Sequence, residues 1–229
     1  MRSTTSLTTI FTLGLFLATP CFASTVIANN AGTLPATAED LTSMFPTEII
    51  GTLDGNNQND VNMFEISIMQ ASDFSALTVA TGAFGIPDTV LSLFNASGVG
   101  VYLNDDISAS NTLSCLPSAD AANPCLVGPG GSGPLTPGIY YLAISRGANY
   151  PVDGFGNEIF SPVSSTDVVG PSNTNPVAGW DGGAYTSPDF DLVNYDIVLS
   201  GTVPEPGTFL LTGLAGLALA AFRKARRRV

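Results

Sequence analysis

The middle of the chain consists of short apolar runs separated by residues that favour turns. Seven runs have the length and composition of β-strands: 48–53, 61–69, 76–81, 89–95, 100–103, 138–145 and 192–200. Turn pairs such as Asp54-Gly55, Ser97-Gly98 and Pro137-Gly138 lie between them. We find no helical periodicity sustained beyond two turns in this part of the chain. The spacing therefore predicts an all-β protein, an antiparallel β-sandwich.

Two of these runs show the alternation expected of a strand with one buried face. In the last run, Tyr195, Ile197 and Leu199 fall on the same face. In the second run, the approximate apolar face consists of Val61, Met63 or its neighbour Phe64, Ile66 and Ile68. We therefore expect each run to present one apolar face to the core of the sandwich.

The charges of the chain are divided between its ends and its middle. Six of the seven basic residues lie in the first two or the last seven positions, and all nineteen acidic residues lie between Glu39 and Glu205. Residues 24–203 carry eighteen carboxylates and one arginine, Arg146, a formal charge of −17. Such a body repels polyanions and attracts divalent cations, so nucleic acid is excluded as a partner. The chain has no histidine, which excludes Ser/His/Asp and Cys/His catalytic arrangements and histidine metal sites.

The first 23 residues have the three parts of a secretory signal peptide. Arg2 precedes the apolar stretch 10–18, and small residues occupy the −3 and −1 positions of a cut before Ser24. We therefore predict that residues 1–23 are removed on export and that 24–45 form an N-terminal linker. The alternatives are an uncleaved anchor helix and a lipoprotein processed at Cys21, although Pro20 does not suit lipobox processing.

The C-terminal 26 residues have a different three-part arrangement. Pro204-Glu205-Pro206 interrupts any preceding regular element, and the uncharged stretch 207–222 is followed by an arginine-rich cluster, 223–228. At about 1.5 Å per residue the uncharged stretch reaches roughly 24 Å, a marginal membrane span. The positive-inside rule places both basic ends in the cytoplasm and the body across the inner membrane. We predict a C-terminal transmembrane helix, because a buried helix of a soluble domain leaves the arginine cluster unexplained.

Pro204-Glu205-Pro206, the short hydrophobic stretch and the arginine-rich cluster together resemble the PEP-CTERM sorting signal of Gram-negative bacteria, here residues 203–229. That signal is recognised and processed by the membrane protease exosortase. The resemblance implies a substrate of exosortase and of the secretion machinery, anchored in the inner membrane with its body in the periplasm before processing. It further implies a final location at the cell surface or outside the cell, linked to extracellular polysaccharide or biofilm.

A second resemblance covers much of the predicted body, residues 46–202. The segments that carry it are 60–66, 88–95 with Gly98, 104–106, 135–144 and 195–199. In this order they resemble the bacterial pre-peptidase C-terminal domain, which implies a jelly-roll-like β-sandwich with no catalysis of its own. The chain departs from that family at Asn62, where an acidic residue is usual, and by insertions near 107–134 and 148–190.

The two insertions contain the cysteines of the body and the single tryptophan. Cys115 and Cys125 lie in the first insertion, and an even pair in a translocated protein favours a disulfide. Closing so short a loop stabilises a protein by about 2 to 3 kcal/mol on the chain-entropy estimate. Trp180 lies in the second insertion. It either plugs an ordered surface loop or forms a platform on which a sugar stacks.

Two groups of oxygen-bearing side chains lie at predicted turns. Asp54, Asn56 and Asp60 belong to the first group, and Asp105 and Asp106 belong to the second. Calcium prefers hard oxygen ligands on loops, so both groups are candidate calcium sites. Neither group has the EF-hand order of ligands. The alternative is that both are solvated turns whose side chains cap their own backbone.

These patterns together predict a secreted, surface- or matrix-associated β-sandwich protein without enzyme activity. A calcium-dependent carbohydrate-binding module or adhesin, which would use Trp180 to hold polysaccharide, is the alternative of a different class. A hydrolase that uses a pair of carboxylates is a third hypothesis.

Overall fold

Twelve β-strands lie within the residues that the computed structural model describes, which are 24–28, 31–54, 60–80, 88–116, 133–134, 136–161, 166–183 and 192–204. The strands are β1 (Ser24–Ile27), β2 (Glu39–Asp40), β3 (Pro46–Asp54), β4 (Val61–Ile68), β5 (Ser75–Val79), β6 (Thr89–Asn95), β7 (Gly100–Asn104), β8 (Cys115–Leu116), β9 (Gly138–Arg146), β10 (Pro151–Asp153), β11 (Val177–Trp180) and β12 (Leu192–Ser200). A single turn of 3-10 helix, Pro35–Thr37, lies between β1 and β2. All the described residues belong to one compact unit, Cys21–Glu205.

Ten of these strands form two five-stranded sheets. The first sheet has the order β1-β3-β12-β5-β8, and the second has the order β2-β4-β9-β6-β7. Neighbouring strands are antiparallel except at one edge of each sheet, where β1 runs parallel to β3 and β2 runs parallel to β4. The remaining strands, β10 and β11, form a separate antiparallel pair. The predicted all-β class is confirmed for the described residues, and two sheets are consistent with the predicted sandwich.

The first core of the protein is built from side chains of both five-stranded sheets. Its fully buried members include Ile49 and Leu53 of β3, Phe64, Ile66 and Ile68 of β4, Leu91 and Leu93 of β6, Leu142 and Ile144 of β9, and Tyr195 and Ile197 of β12. The predicted apolar face of β12 is confirmed, because Leu199 joins Tyr195 and Ile197 in this core. Removal of this apolar surface from water is the main stabilising contribution.

A second core lies on the opposite face of the β2-β4-β9-β6-β7 sheet. The sheet contributes Val61, Met63, Val90, Phe94, Leu103 and Ala143, and the second predicted insertion contributes Ile159, Phe160 and Val177. The single apolar face predicted for β4 is therefore wrong, because Val61 and Met63 face this core while Phe64 faces the first one. A strand covered on both faces loses its simple alternation and becomes apolar almost throughout.

The second predicted insertion also pairs with the edge strand β7. Backbone hydrogen bonds join Leu103 to Val169 in both directions, with N–O distances of 2.9 and 2.8 Å. Further along, the backbone N–H of Val177 donates to the carbonyl oxygen of Gly98 at 2.9 Å. The insertion therefore covers both an apolar face of the sheet and its β7 edge. A sheet edge that is left uncovered can pair with strands of other chains.

All seven strands predicted from sequence are present, within two residues at each end. The remaining strands fall where the sequence predicted a linker or insertions. Residues 24–45, predicted to be a linker, instead contribute β1 to one sheet and β2 to the other. These strands have four and two residues, too few for an alternating pattern to be recognised, and their parallel pairing depends on neighbours that are distant in sequence.

The predicted signal peptide, 1–23, lies outside the described residues. The predicted membrane helix within 207–222 also lies outside them. Among the residues that are described, no helix is both long and apolar enough to cross a membrane.

Candidate functional site

Three carboxylates come together at one end of the second sheet. Asp88 directly precedes β6, and Asp105 and Asp106 directly follow β7. Because β6 and β7 are antiparallel neighbours, with Leu91 paired to Asn104, the start of one strand and the end of the other lie side by side. One carboxylate oxygen from each of the three aspartates lies within 4.8 Å of the others. The structure therefore adds Asp88 to the predicted pair, and we call these residues the acidic cluster.

Asp105 is the most deeply buried member of the acidic cluster, with 6% of its surface exposed. Its Oδ2 accepts a hydrogen bond from the Tyr150 hydroxyl at 2.7 Å. Its Oδ1 is buried and has no hydrogen-bond partner among the described residues. Burial raises the pKa of Asp105 to about 7, the Tyr150 hydrogen bond opposes this rise, and the charges of Asp106 and Asp88 add to it.

Asp88 is influenced by charges of both signs, from Asp106 and from Arg146, the last residue of β9. Burial, and then the charge of Asp106, raise the pKa of Asp88, whereas the positive charge of Arg146 lowers it. The next residue, Gly147, donates its backbone N–H to the Asp88 carbonyl oxygen at 3.1 Å. A Cβ atom at position 147 would collide with the Asp88 carboxylate, so a larger residue there would displace that carboxylate.

Asn104 positions the two aspartates that follow it. It is 2% exposed, and its Nδ2 donates to the carbonyl oxygens of Asp106 at 3.0 Å and Asp167 at 3.2 Å. Its Oδ1 accepts from the backbone N–H of Cys115 at 2.7 Å. Cys115 belongs to the first predicted insertion, and Asp167 belongs to the second. Both insertions therefore contact the loop that holds the acidic cluster.

The other predicted metal group is only partly described. Asp54 ends β3, and its backbone N–H donates to a carboxylate oxygen of Asp60, so the Asp60 carboxylate caps this turn. Asn56 lies outside the described residues. In this group the structure brings together Asp54 and Asp60, and the calcium site proposed for it stays a prediction.

Trp180 lies at the end of β11, in the second predicted insertion. Its indole N–H donates to the carbonyl oxygen of Thr33 at 2.8 Å. Its ring is half-buried against the second core. The tryptophan therefore joins the insertion to the N-terminal segment, and part of its ring is already used in packing.

Cys115 begins β8 and is almost fully buried. Cys125, its predicted partner, lies outside the described residues. The disulfide between them stays a prediction.

A polar surface pocket of about 570 Å³, absent from the sequence prediction, lies within the second insertion. Its lining includes Asp153, Glu158, Asn173 and Asn175. The Asp153 Oδ2 accepts from Asn175 Nδ2 at 2.7 Å, and Oδ1 accepts from the backbone N–H groups of Phe155 and Asn157, each at 2.9 Å. The Asn175 hydrogen bond and these backbone donors lower the pKa of Asp153 to about 2, against the effect of burial. This carboxylate organises its own loop.

The last described residues of the chain are bonded to the sandwich. Gly201, whose φ is 73°, accepts at its carbonyl oxygen from the backbone N–H groups of Met69 and Gln70 at 2.8 and 2.9 Å. Thr202 Oγ1 donates to the Pro46 carbonyl oxygen at 2.6 Å. Gln70 Nε2 donates to the Val203 carbonyl oxygen at 3.3 Å. The body is thus held in place as far as the residue before Pro204.

Residues 202–228 match the PEP-CTERM protein-sorting motif. The match contains the predicted Pro204, Glu205 and Pro206, and it overlaps the described body only at its last three residues. The motif implies an exported protein that is anchored in the cell envelope before processing, with exosortase as its processing partner. No curated protein matches the chain.

The PEP-CTERM motif begins where the contacts of the body end. Thr202 and Val203 belong both to the matched motif and to the hydrogen-bonded end of the sandwich. Every strand that the structure describes lies N-terminal to the match, since β12 ends at Ser200. A cut within the motif beyond Val203 would therefore remove none of the described strands.

Proposed function

We propose that this chain is a secreted, surface- or matrix-associated structural protein without enzyme activity, delivered as an exosortase substrate. The observation that carries the proposal is the PEP-CTERM motif at 202–228, which directly follows the last strand of a β-sheet body. The predicted signal peptide, 1–23, would start export. The body would then cross the inner membrane of a Gram-negative cell into the periplasm.

In this proposal the C-terminal stretch anchors the protein only until it is processed. Residues 207–222 would hold the chain in the inner membrane, and the basic cluster 223–228 would stay in the cytoplasm. Exosortase would cut near Pro204-Glu205-Pro206 and release the body. The hydrogen bonds at Thr202 and Val203 support this order, because they fasten the end of the sandwich before Pro204-Glu205-Pro206.

We further infer that the body is a jelly roll. Eight of its strands pair in a nested way, the first with the last and so on inwards: β3 with β12, β4 with β9, β5 with β8, and β6 with β7. Such nesting is what two Greek keys produce when a long hairpin is wrapped into two sheets. It supports the jelly-roll-like body implied by the resemblance to the pre-peptidase C-terminal domain.

A structural role is favoured over hydrolysis by the surroundings of the acidic cluster. A glycosidase needs two carboxylates that flank a sugar ring in an open site. Asp105 is 6% exposed and hydrogen-bonded to Tyr150, which leaves little space for a sugar beside it. The absence of histidine removes the usual general base of hydrolytic triads.

The sorting proposal is tested by replacing Pro204, Glu205 and Pro206 together with alanine in the native host. The wild-type protein is expected to be recovered outside the inner membrane with a shortened C-terminus, and the triple variant to stay in the membrane at its full C-terminal length. Intact mass of both fractions provides the measurement. Thr208→Ala, which leaves Pro204-Glu205-Pro206 unchanged, is the matched control. Release of a shortened triple variant would refute the sorting proposal.

A further inference from the structure

We propose that Asp88, Asp105 and Asp106 bind a calcium ion, and that this ion holds both insertions against the sandwich. The inference goes beyond the proposed sorting function, because it concerns a metal site in the body and does not depend on the C-terminal motif. Its failure would leave the sorting proposal unchanged.

The spacing of the acidic cluster suits a single ion. Calcium binds oxygen ligands at about 2.3 to 2.6 Å, so two oxygens on the same ion lie at most about 5 Å apart. One oxygen from each of the three aspartates already lies within 4.8 Å of the others. The carboxylates come from two loops that the β6–β7 pairing holds side by side. Little rearrangement is needed for all three to reach one ion.

A second, independent observation comes from the unpartnered Oδ1 of Asp105. The Asp105 side chain is 94% buried, since 6% of its surface is exposed, and Oδ1 has no hydrogen-bond partner among the described residues. Buried polar atoms nearly always have a partner, and an exception points to an unseen water or ion. The other oxygen, Oδ2, is already bonded to Tyr150, so Oδ1 is the oxygen of Asp105 that is left to bind an ion.

The charge of the cluster favours a cation over a water molecule. Three carboxylates lie together, and the positive charge that acts on Asp88 is that of Arg146. Negative charges this close together repel one another, and the burial of Asp105 weakens the screening of that repulsion by water. A divalent cation would remove this repulsion by neutralising two of the three negative charges, whereas a water molecule would leave it in place.

The donor atoms select calcium among common metals. The acidic cluster offers carboxylate oxygens, and neither cysteine nor histidine belongs to it, so the soft and borderline metals lack their preferred ligands. Magnesium demands near-ideal octahedral geometry and keeps most of its waters. An irregular set of carboxylates on two loops is closer to the flexible, higher coordination of calcium.

The site has a structural consequence, because its surroundings connect separate segments. Asn104 bonds to Cys115 and to Asp167, and Asp105 bonds to Tyr150. Calcium bound at Asp105 and Asp106 would therefore help to hold both insertions on the second sheet. A ligand that binds the folded state alone raises its stability, so the apparent melting temperature should rise with calcium concentration.

The test uses the full-length chain purified in detergent and freed of metal with a chelator. Calorimetric titration with calcium chloride should show one site, and calcium should raise the melting temperature more than magnesium does. Asp106→Asn should weaken calcium binding by at least about tenfold. Asp105→Asn should abolish the thermal response without lowering the melting temperature in chelator, because it removes one charge from a repulsive cluster.

Two further variants locate the site. Asp73→Asn, which changes an exposed carboxylate outside the acidic cluster, should bind calcium as the wild type does. Asp60→Asn tests the other predicted group and should also leave binding unchanged. The proposal is overturned if the wild type shows neither heat nor thermal shift with calcium, or if magnesium acts equally well. It is also overturned if Asp60→Asn loses the response while Asp106→Asn retains it.

Discussion

Asp105 and Asp153 have little exposed surface, 6% and 3%, yet the pKa values of their carboxyl groups are shifted in opposite directions. Burial raises the pKa of Asp105 to about 7, and one of its oxygens has no partner among the described residues. The Asn175 hydrogen bond, assisted by backbone donors, lowers the pKa of Asp153 to about 2. Burial is the dominant influence on Asp105, which accepts one hydrogen bond, whereas at Asp153 the donors from Asn175 and from its own loop outweigh burial.

This difference explains why the two acidic regions have different prospects as binding sites. The Asp153 carboxylate is satisfied by its own loop and by Asn175, so it needs no external ion. The Asp105 carboxylate receives one hydrogen bond, from Tyr150, and shares its surroundings with two other aspartates. A cation would supply the missing partner of Asp105. At Asp153 it would only compete with existing hydrogen bonds.

The largest expected effect is a loss of stability on removal of Asn104, the residue that positions the acidic cluster. Asn104→Ala deletes three hydrogen bonds of a side chain that is 2% exposed and leaves the backbone N–H of Cys115 without its acceptor. We expect a loss of about 3 kcal/mol in the free energy of unfolding, measured by urea denaturation. Asn111→Ala is the control, since its side chain makes one weak bond of 3.3 Å, to Leu113. Equal losses in both variants would contradict this role for Asn104.

A smaller effect, on calcium affinity, should follow from displacing one carboxylate of the acidic cluster. Gly147→Ala places a methyl group against the Asp88 carboxylate, which must move away. We expect calcium affinity to fall about tenfold, or about 1.4 kcal/mol, by calorimetric titration. Gly154→Ala is the matched control, because its added Cβ meets only Ala178, at 4.0 Å. Unchanged affinity in Gly147→Ala would remove Asp88 from the ligand set.

Tyr150→Phe tests the one hydrogen bond that Asp105 receives. The variant removes the 2.7 Å bond to Oδ2 and leaves the aromatic ring in place. We expect a loss of about 1 kcal/mol in the free energy of unfolding measured in chelator, with a smaller loss in calcium, since the ion also stabilises the carboxylate. A larger loss in calcium than in chelator would count against the proposed site.

The long strands of the body could be predicted from sequence because each has five or more residues between turn signals. β12 shows this clearly, since alternate residues from Tyr195 to Leu199 enter the first core. β8, β10 and β11 have two to four residues and pair with partners that only the folded chain brings near, so no local pattern reveals them. The second core was missed for the same reason, because a third of its buried side chains come from the second insertion, which has no regular alternation.

The candidate site was predictable only in part. Asp105 and Asp106 are adjacent in sequence, and their position after a predicted strand pointed to a loop with oxygen ligands. Asp88 lies seventeen positions before Asp105, and its place in the cluster follows from the β6–β7 pairing, which the sequence does not specify. The motif at 202–228 was recognisable because its three parts are contiguous in the chain.

The smallest expected effect is a change in thermal stability at acidic pH, and it depends on Asp153. Its folded-state pKa of about 2 lies below the ordinary value of 3.8, so this carboxylate stabilises the fold above about pH 4 and loses that contribution as the pH falls towards about 2. In Asp153→Asn the contribution is absent at every pH. The difference in melting temperature between wild type and variant, measured in chelator, should therefore shrink between about pH 5 and about pH 2. Asp73→Asn, which changes an exposed aspartate elsewhere in the body, serves as the reference. A difference that stays constant across this range would mean that Asn175 and the backbone donors do not hold Asp153 in its ionised form, and the contrast with Asp105 would be lost.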